Sequence, residues 1–241
     1  MGVALTFGAL LLWLLLAAQE RAQLRKKSGF EWVLDSSNLT IQGTLVPLLQ
    51  TTVIFGLLQY LWPAGRGAFS VSALTGFALN FFVVDYLYYW NHRLLHHRRL
   101  FPLHVVHHTV TQMDVFATSR NSLITSFFIV YLWANGFLLY ITDLNAGVLL
   151  GMSLSACLDL WKHSSLGKQH PRLLRRLSQL GVMTPLDHAW HHAQRLQSNY
   201  GANLNLYDRL HGTYYASEVF PERLGVKTRL KPWQQLFFPF S

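Results

Sequence analysis

Nine of the twelve histidines in this 241-residue chain fall into three short clusters: His92-Arg-Leu-Leu-His96-His97, His104-Val-Val-His107-His108 and His188-Ala-Trp-His191-His192. Helical residues three and four apart share a face, so each cluster aims two or three imidazoles at one point. Neutral imidazole is the commonest protein metal ligand. His163 stands between the second and third clusters. Ten nitrogen donors exceed what one tetrahedral or octahedral ion takes, so the spacing predicts two metals. Solvated or headgroup-binding histidines would not repeat so similar a spacing three times, H-x3-HH once and H-x2-HH twice.

The surroundings are apolar. Charged residues make up 13% of the chain, against roughly 25% in an ordinary soluble domain. A membrane span needs about 20 apolar residues. Thr44–Trp62, Val71–Trp90, Ser122–Thr142 and Leu144–Trp161 meet this, and Gly2–Ala18 reads as a first span or a membrane-lying anchor. The expected fold is therefore an all-α integral membrane bundle of four or five segments. Residues 1–70 form N-terminal membrane segments, 71–215 a catalytic domain holding the di-metal site, and 216–241 a C-terminal tail.

Placing every histidine cluster on one side makes 122–142 and 144–161 a hairpin turning at Asp143. Of the twenty Lys and Arg residues, nineteen then lie on the histidine side and only Arg66 opposite. Such a bias marks a cytoplasmic face, so the net charge of +9 needs no nucleic-acid partner. Pro171–Gly181 reads as a basic amphipathic helix against the membrane. The single cysteine, Cys157, excludes an internal disulfide and thiolate metal sites.

Continuing the Val71–Trp90 helix places Asp85, His92 and His96 within about 20° of one line, with His97 about 120° away. His96 is the ligand if the helix stays regular, and His97 if it distorts. Asp85 lies two turns deeper, where an acid is functional by default, and is expected to orient His92. Asp159 precedes His163 by four residues and reads as a direct ligand or as a partner of that histidine. His170 and His211 fall outside ligand spacing. Imidazole alone does not choose among zinc, copper, iron and nickel. Two other readings stay open beside a lipid-modifying oxidoreductase: a zinc-dependent membrane hydrolase and a non-catalytic metal-binding membrane protein.

The ordered boxes H-x3-HH, H-x2-HH, lone histidine and H-x2-HH resemble the fatty acid hydroxylase/sterol desaturase superfamily of membrane di-iron oxygenases. Asp85-Tyr-Leu-Tyr-Tyr-Trp-Asn-His92-Arg is similar to that family's approach to its first box, and Thr184-Pro-Leu-Asp-His188 to its last. Asn199-Tyr-Gly201 and Asp208-Arg-Leu-His-Gly-Thr213 are similar to its closing motifs. The resemblance covers roughly residues 75–215. It implies two irons, O2 and hydroxylation or desaturation of a lipid C–H bond, with His92, His96, His104, His107, His108, His163, His188, His191 and His192 as ligands. It also implies electrons from a separate donor: a cytochrome b5, a ferredoxin or a reductase. Two departures stand out. His211 occupies a position where the family usually has phenylalanine, and Asn121-Ser-Leu123 replaces a common His-Pro-acid run.

Overall fold

Helix signals in the sequence set the elements. Ser28 and Glu31 form a reciprocal capping box that starts a helix at Gly29, well before the expected Thr44. That helix runs unbroken to Leu61. At about 1.5 Å per residue, its 33 residues exceed a hydrocarbon core of about 30 Å, so its first turns project beyond the apolar span. Pro47 removes one amide donor from its interior, and the π-helical stretches Ile41–Leu45 and Gln50–Ile54 flank it. The protein, taken here from a computed structural model, is described for residues 2–193 and 197–240. These residues contain helices and turns, with no strand beyond two isolated bridges.

Among the described residues, two helices are long and apolar enough to cross a membrane, Gly29–Leu61 and Leu123–Ile141; Val3–Leu16 is apolar but shorter. The helices at 73–95 and Ala146–Lys162 also form, yet each carries polar groups inward, among them Asn80, Asp85 and Asp159. Leu48, Val53, Leu57, Phe82, Leu87 and Leu150 all point outward and are exposed. An apolar surface this extensive suits a lipid environment.

The bundle is antiparallel. At one end Tyr140 Oη donates to Trp62 O at 2.8 Å, and Asp143 and Leu144 turn the chain with φ of 47° and 61°. Next to that turn, a Cβ on Gly147 would overlap Ala73 O, so only glycine lets these two backbones meet. Halfway along, Asn80 Nδ2 donates to Asn135 Oδ1 at 2.8 Å. The other end gathers the C-termini of 73–95 and Ala146–Lys162, the start of Gly29–Leu61, and every histidine cluster. The segment beyond residue 216 folds back over this end, where Val226 N donates to His108 O at 2.7 Å.

Candidate metal centre

His92 lies in the last turn of the 73–95 helix, and His96 caps it in near-helical conformation. The two therefore stay on one face. His97, one residue on, is turned outward and exposed. The second cluster sits on short 3-10 turns, Phe101–Leu103 and His107–Thr109. The third rides on Pro185–His191, whose start is fixed by a Thr184–Asp187 capping box.

Tertiary folding sorts nine histidines into two buried groups. His92, His96, His104, His108 and His191 form one; His107, His163, His188 and His192 form the other, with donor atoms of each group within 4.8 Å of one another. Each of the sequence clusters at 104–108 and 188–192 contributes to both groups. His97 joins neither.

Backbone carbonyls set the ring tautomers. The Nδ1–H groups donate from His92 to Tyr200 O at 2.7 Å, from His107 to Arg120 O at 3.1 Å, from His163 to Asp159 O at 2.8 Å and from His191 to Ser198 O at 2.8 Å. In a neutral ring this leaves Nε2 as a bare lone pair. His191 Nε2 is buried with no hydrogen-bond partner. Four Nε2 pairs converge: His92–His104 at 2.9 Å, His96–His108 at 3.0 Å, His163–His188 at 2.9 Å and His188–His192 at 3.1 Å. Burial pushes the imidazoles below their ordinary range, well below for His92, His104, His108, His188, His191 and His192, to about 4 for His96 and about 3 for His107. Uncharged rings with inward lone pairs are what a cation requires, so the residues present fit a metal pair.

Of the two acids, Asp159 partners His163 as one of its two expected roles had it, whereas Asp85 sits elsewhere than expected. Asp85 is buried but does not touch His92. It accepts from Tyr131 Oη at 3.2 Å and from Asn203 N at 3.1 Å. Its reach to His92 is indirect, through the 200–203 segment that supplies the Tyr200 carbonyl. Asp159 pairs with Lys162 at 2.8 Å, and its carboxylate lies 3.6 Å from His163 Nδ1 while its backbone oxygen takes that hydrogen bond. Neither acid belongs to the two histidine groups.

A cavity of about 690 Å³ opens from His104, His107 and His163 into the bundle. Its wall is mostly apolar, with Asp159, Tyr88, Tyr131 and the Asn80–Asn135 pair adding polar positions. Among the described residues, Asp159 is the only carboxylate on it, and no Lys or Arg lines it.

The carbonyls of Arg120, Ser198 and Tyr200 were not legible as site groups, since a backbone acceptor leaves no side-chain signal. Their setting does explain the closing motifs. Asn199 adopts φ 57°, which asparagine tolerates better than most residues. Gly201 packs where a Cβ would overlap Leu204 O. Asp208 then caps the loop, accepting from Tyr200 N at 2.7 Å and Gly201 N at 2.8 Å.

The fatty acid hydroxylase family profile matches residues 77–213, more than half of the chain and all nine grouped histidines. A curated relative, the ornithine lipid hydroxylase OlsE of Rhizobium tropici, is 30% identical over 181 residues, covering 72% of this chain. The chain spans about half of that relative's length, 51%. No solved structure matches. With its nine inward imidazoles all inside the matched region, this chain belongs to the fatty acid hydroxylase family.

Proposed function

We propose that the protein is a membrane-bound, di-iron lipid hydroxylase acting on a lipid C–H bond with O2 and external electrons. The observation that carries this reading is the nitrogen geometry. With metal–nitrogen bonds of about 2.1 Å, ligands at right angles lie about 3.0 Å apart and tetrahedral ones about 3.4 Å. The four shortest Nε2 pairs span 2.9–3.1 Å, and the five donors of one group overfill a tetrahedral site. This favours an ion of octahedral habit, as iron is, over the tetrahedral zinc of a membrane hydrolase.

His92, His96, His104, His108 and His191 would hold one iron, and His107, His163, His188 and His192 the other. Bound there, the pair supplies O2 activation for C–H hydroxylation. The chain's own residues do the rest. The cavity receives the lipid from the bilayer side and lays one carbon against the His104–His107–His163 end. Its apolar wall excludes water from that carbon. Asp159, paired with Lys162 at 2.8 Å, offers a hydrogen-bond acceptor where a substrate hydroxyl or amine would lie. Asp85 holds Tyr131, on the cavity wall, and the segment that orients His92.

The family and the lipid hydroxylase relative support a lipid substrate. The basic asymmetry of the sequence supports a cytoplasmic site reached by a separate cytochrome b5, ferredoxin or reductase. The test is metal analysis of protein purified from cells, with lipidomics under 18O2. Two irons per chain and a labelled hydroxylated lipid are expected. Zinc as the sole metal, or iron with no O2-dependent lipid change, would overturn the proposal.

A further inference from the structure

One run of aromatic rings lies away from the cavity. Tyr200 is buried against the five-histidine group, its ring centroid 5.8 Å from His92, 5.1 Å from His96 and 5.7 Å from His191. Tyr89, fully buried, lies 6.3 Å beyond Tyr200. Trp90 follows at 5.4 Å from Tyr89 and is 42% exposed. His211 stacks on Tyr89 at 5.2 Å and meets Trp90 at 4.8 Å. The rings thus form a continuous path from the surface to the histidines.

Packing alone accounts for the rings but not for the Tyr89 hydroxyl. Its oxygen accepts from Arg93 Nη1 at 3.1 Å and faces Thr213 Oγ1 at 2.9 Å. Thr213 in turn donates to Asp208 Oδ1 at 2.7 Å. Because the threonine proton is committed to the carboxylate, the Tyr89 proton must point at Thr213. A directed route therefore leads from the phenol to Asp208, a buried carboxylate with no ion-pair partner among the described residues. Burial pushes Asp208 up to about 6, so it is ionised at neutral pH yet takes a proton more readily than an ordinary aspartate.

We infer that Trp90, Tyr89 and Tyr200 carry single electrons from a one-electron donor protein at the Trp90 surface to the five-histidine group, with Asp208 holding the Tyr89 proton in transit. The inference rests on the reading of that group as a redox-metal site. In the step, one electron leaves Tyr89 through Tyr200 toward the five-histidine group, whose metal would first have been oxidised by O2. The Tyr89 O–H bond breaks, Thr213 takes that proton, and Thr213 passes its own to Asp208. This leaves a neutral phenoxyl radical and a carboxylic acid. The donor's electron, arriving through Trp90, reduces the radical, and Asp208 returns its proton by the same route. The net change is one electron moved inward and no proton gained or lost.

The test uses iron-loaded full-length protein and Tyr89→Phe, which keeps the ring and removes the O–H. Rapid-freeze EPR after mixing the reduced protein with O2, without lipid or donor, should show a neutral tyrosyl radical that ring-deuterated tyrosine alters and Tyr89→Phe lacks. Stopped-flow reduction of the oxidised centre by a reduced ferredoxin should slow at least tenfold in Tyr89→Phe. Thr213→Val, which keeps the shape of the threonine, should slow it comparably and abolish its solvent deuterium isotope effect. Iron content and melting temperature, measured on every sample, expose any variant that merely misfolds. If Tyr89→Phe holds two irons and is reduced at the wild-type rate, the path is refuted while the metal reading stands. If the wild-type protein itself holds no iron, both readings fall.

Discussion

Replacing Asp35 with asparagine should damage both stability and metal binding, although Asp35 touches no histidine. Its carboxylate accepts from Arg120 Nε at 2.6 Å and Nη2 at 2.8 Å, and pairs with Lys27 Nζ at 2.6 Å. The Lys27, Arg120 and Asp35 side chains are each no more than 2% exposed. Asp114 also holds Lys27, and the partly exposed Glu31 reaches Arg120 at 3.4 Å. Removing the Asp35 charge leaves two buried cations sharing Asp114 and Glu31. Breaking a buried pair from one side costs about 3–5 kcal/mol. At roughly 2–4 °C per kcal/mol for a chain of this size, melting should fall by about 6–20 °C. Because the Arg120 carbonyl orients His107, metal affinity should drop about 10–100-fold as well. Thermal unfolding in nanodiscs, with metal content measured by mass spectrometry, reads both effects. Asp35→Leu combined with Arg120→Met leaves Lys27 paired with Asp114 and should recover much of the lost stability, since the His107 acceptor is backbone. An Asp35→Asn protein that melts within about 2 °C of wild type and keeps its full metal would refute the reasoning.

Further outcomes follow from the site. His191→Ala should lose metal from the five-histidine group, whereas His97→Ala should keep the wild-type stoichiometry; equal loss in both would dissolve the two-group assignment. Asp159→Asn leaves Lys162 without its charge partner and should lower turnover about 10–100-fold while metal is retained, because the carbonyl that holds His163 is untouched. Near-full turnover would remove Asp159 from the mechanism. For Asp208, whose pKa is raised in the folded state, the native protein binds the extra proton between about pH 6 and the unfolded value of about 3.9. Its effect on stability is therefore unfavourable above pH 6 and is relieved as pH falls. The stability difference between wild type and Asp208→Asn should shift toward wild type by about 2 kcal/mol from pH 7 to pH 4.5, and a flat difference would contradict that burial effect. Finally, Lys168→Cys should label only from the cytoplasmic side and Arg66→Cys only from the other, since the basic asymmetry sets orientation.

Much of the site was legible because its chemistry sits in side chains at helical spacing. The three histidine clusters and the lone His163 are local patterns, and local patterns survive translation into structure. Helix existence was legible for the same reason, as was the turn at Asp143. The start of the helix at Gly29 was missed because hydropathy marks only the apolar part of a helix, while the Ser28–Glu31 cap that begins it is polar.

What the chain order could not show is how nine imidazoles divide. Sequence spacing groups His104 with His107 and His188 with His191, yet each pair is split between the two donor groups, even though its rings lie stacked 4.9 Å and 5.3 Å apart. The choice between His96 and His97 likewise depended on where the 73–95 helix ends, which packing sets. The partner of His92 proved to be the Tyr200 carbonyl, 108 residues away, in place of Asp85 seven residues before it. Sequence by itself determined the histidine clusters, the helical class and the apolar environment, since these follow from residue type and periodicity. Only tertiary structure decided the two donor groups, the carbonyls that aim them and the cavity beside them, because backbone oxygens and empty space carry no letter in a sequence.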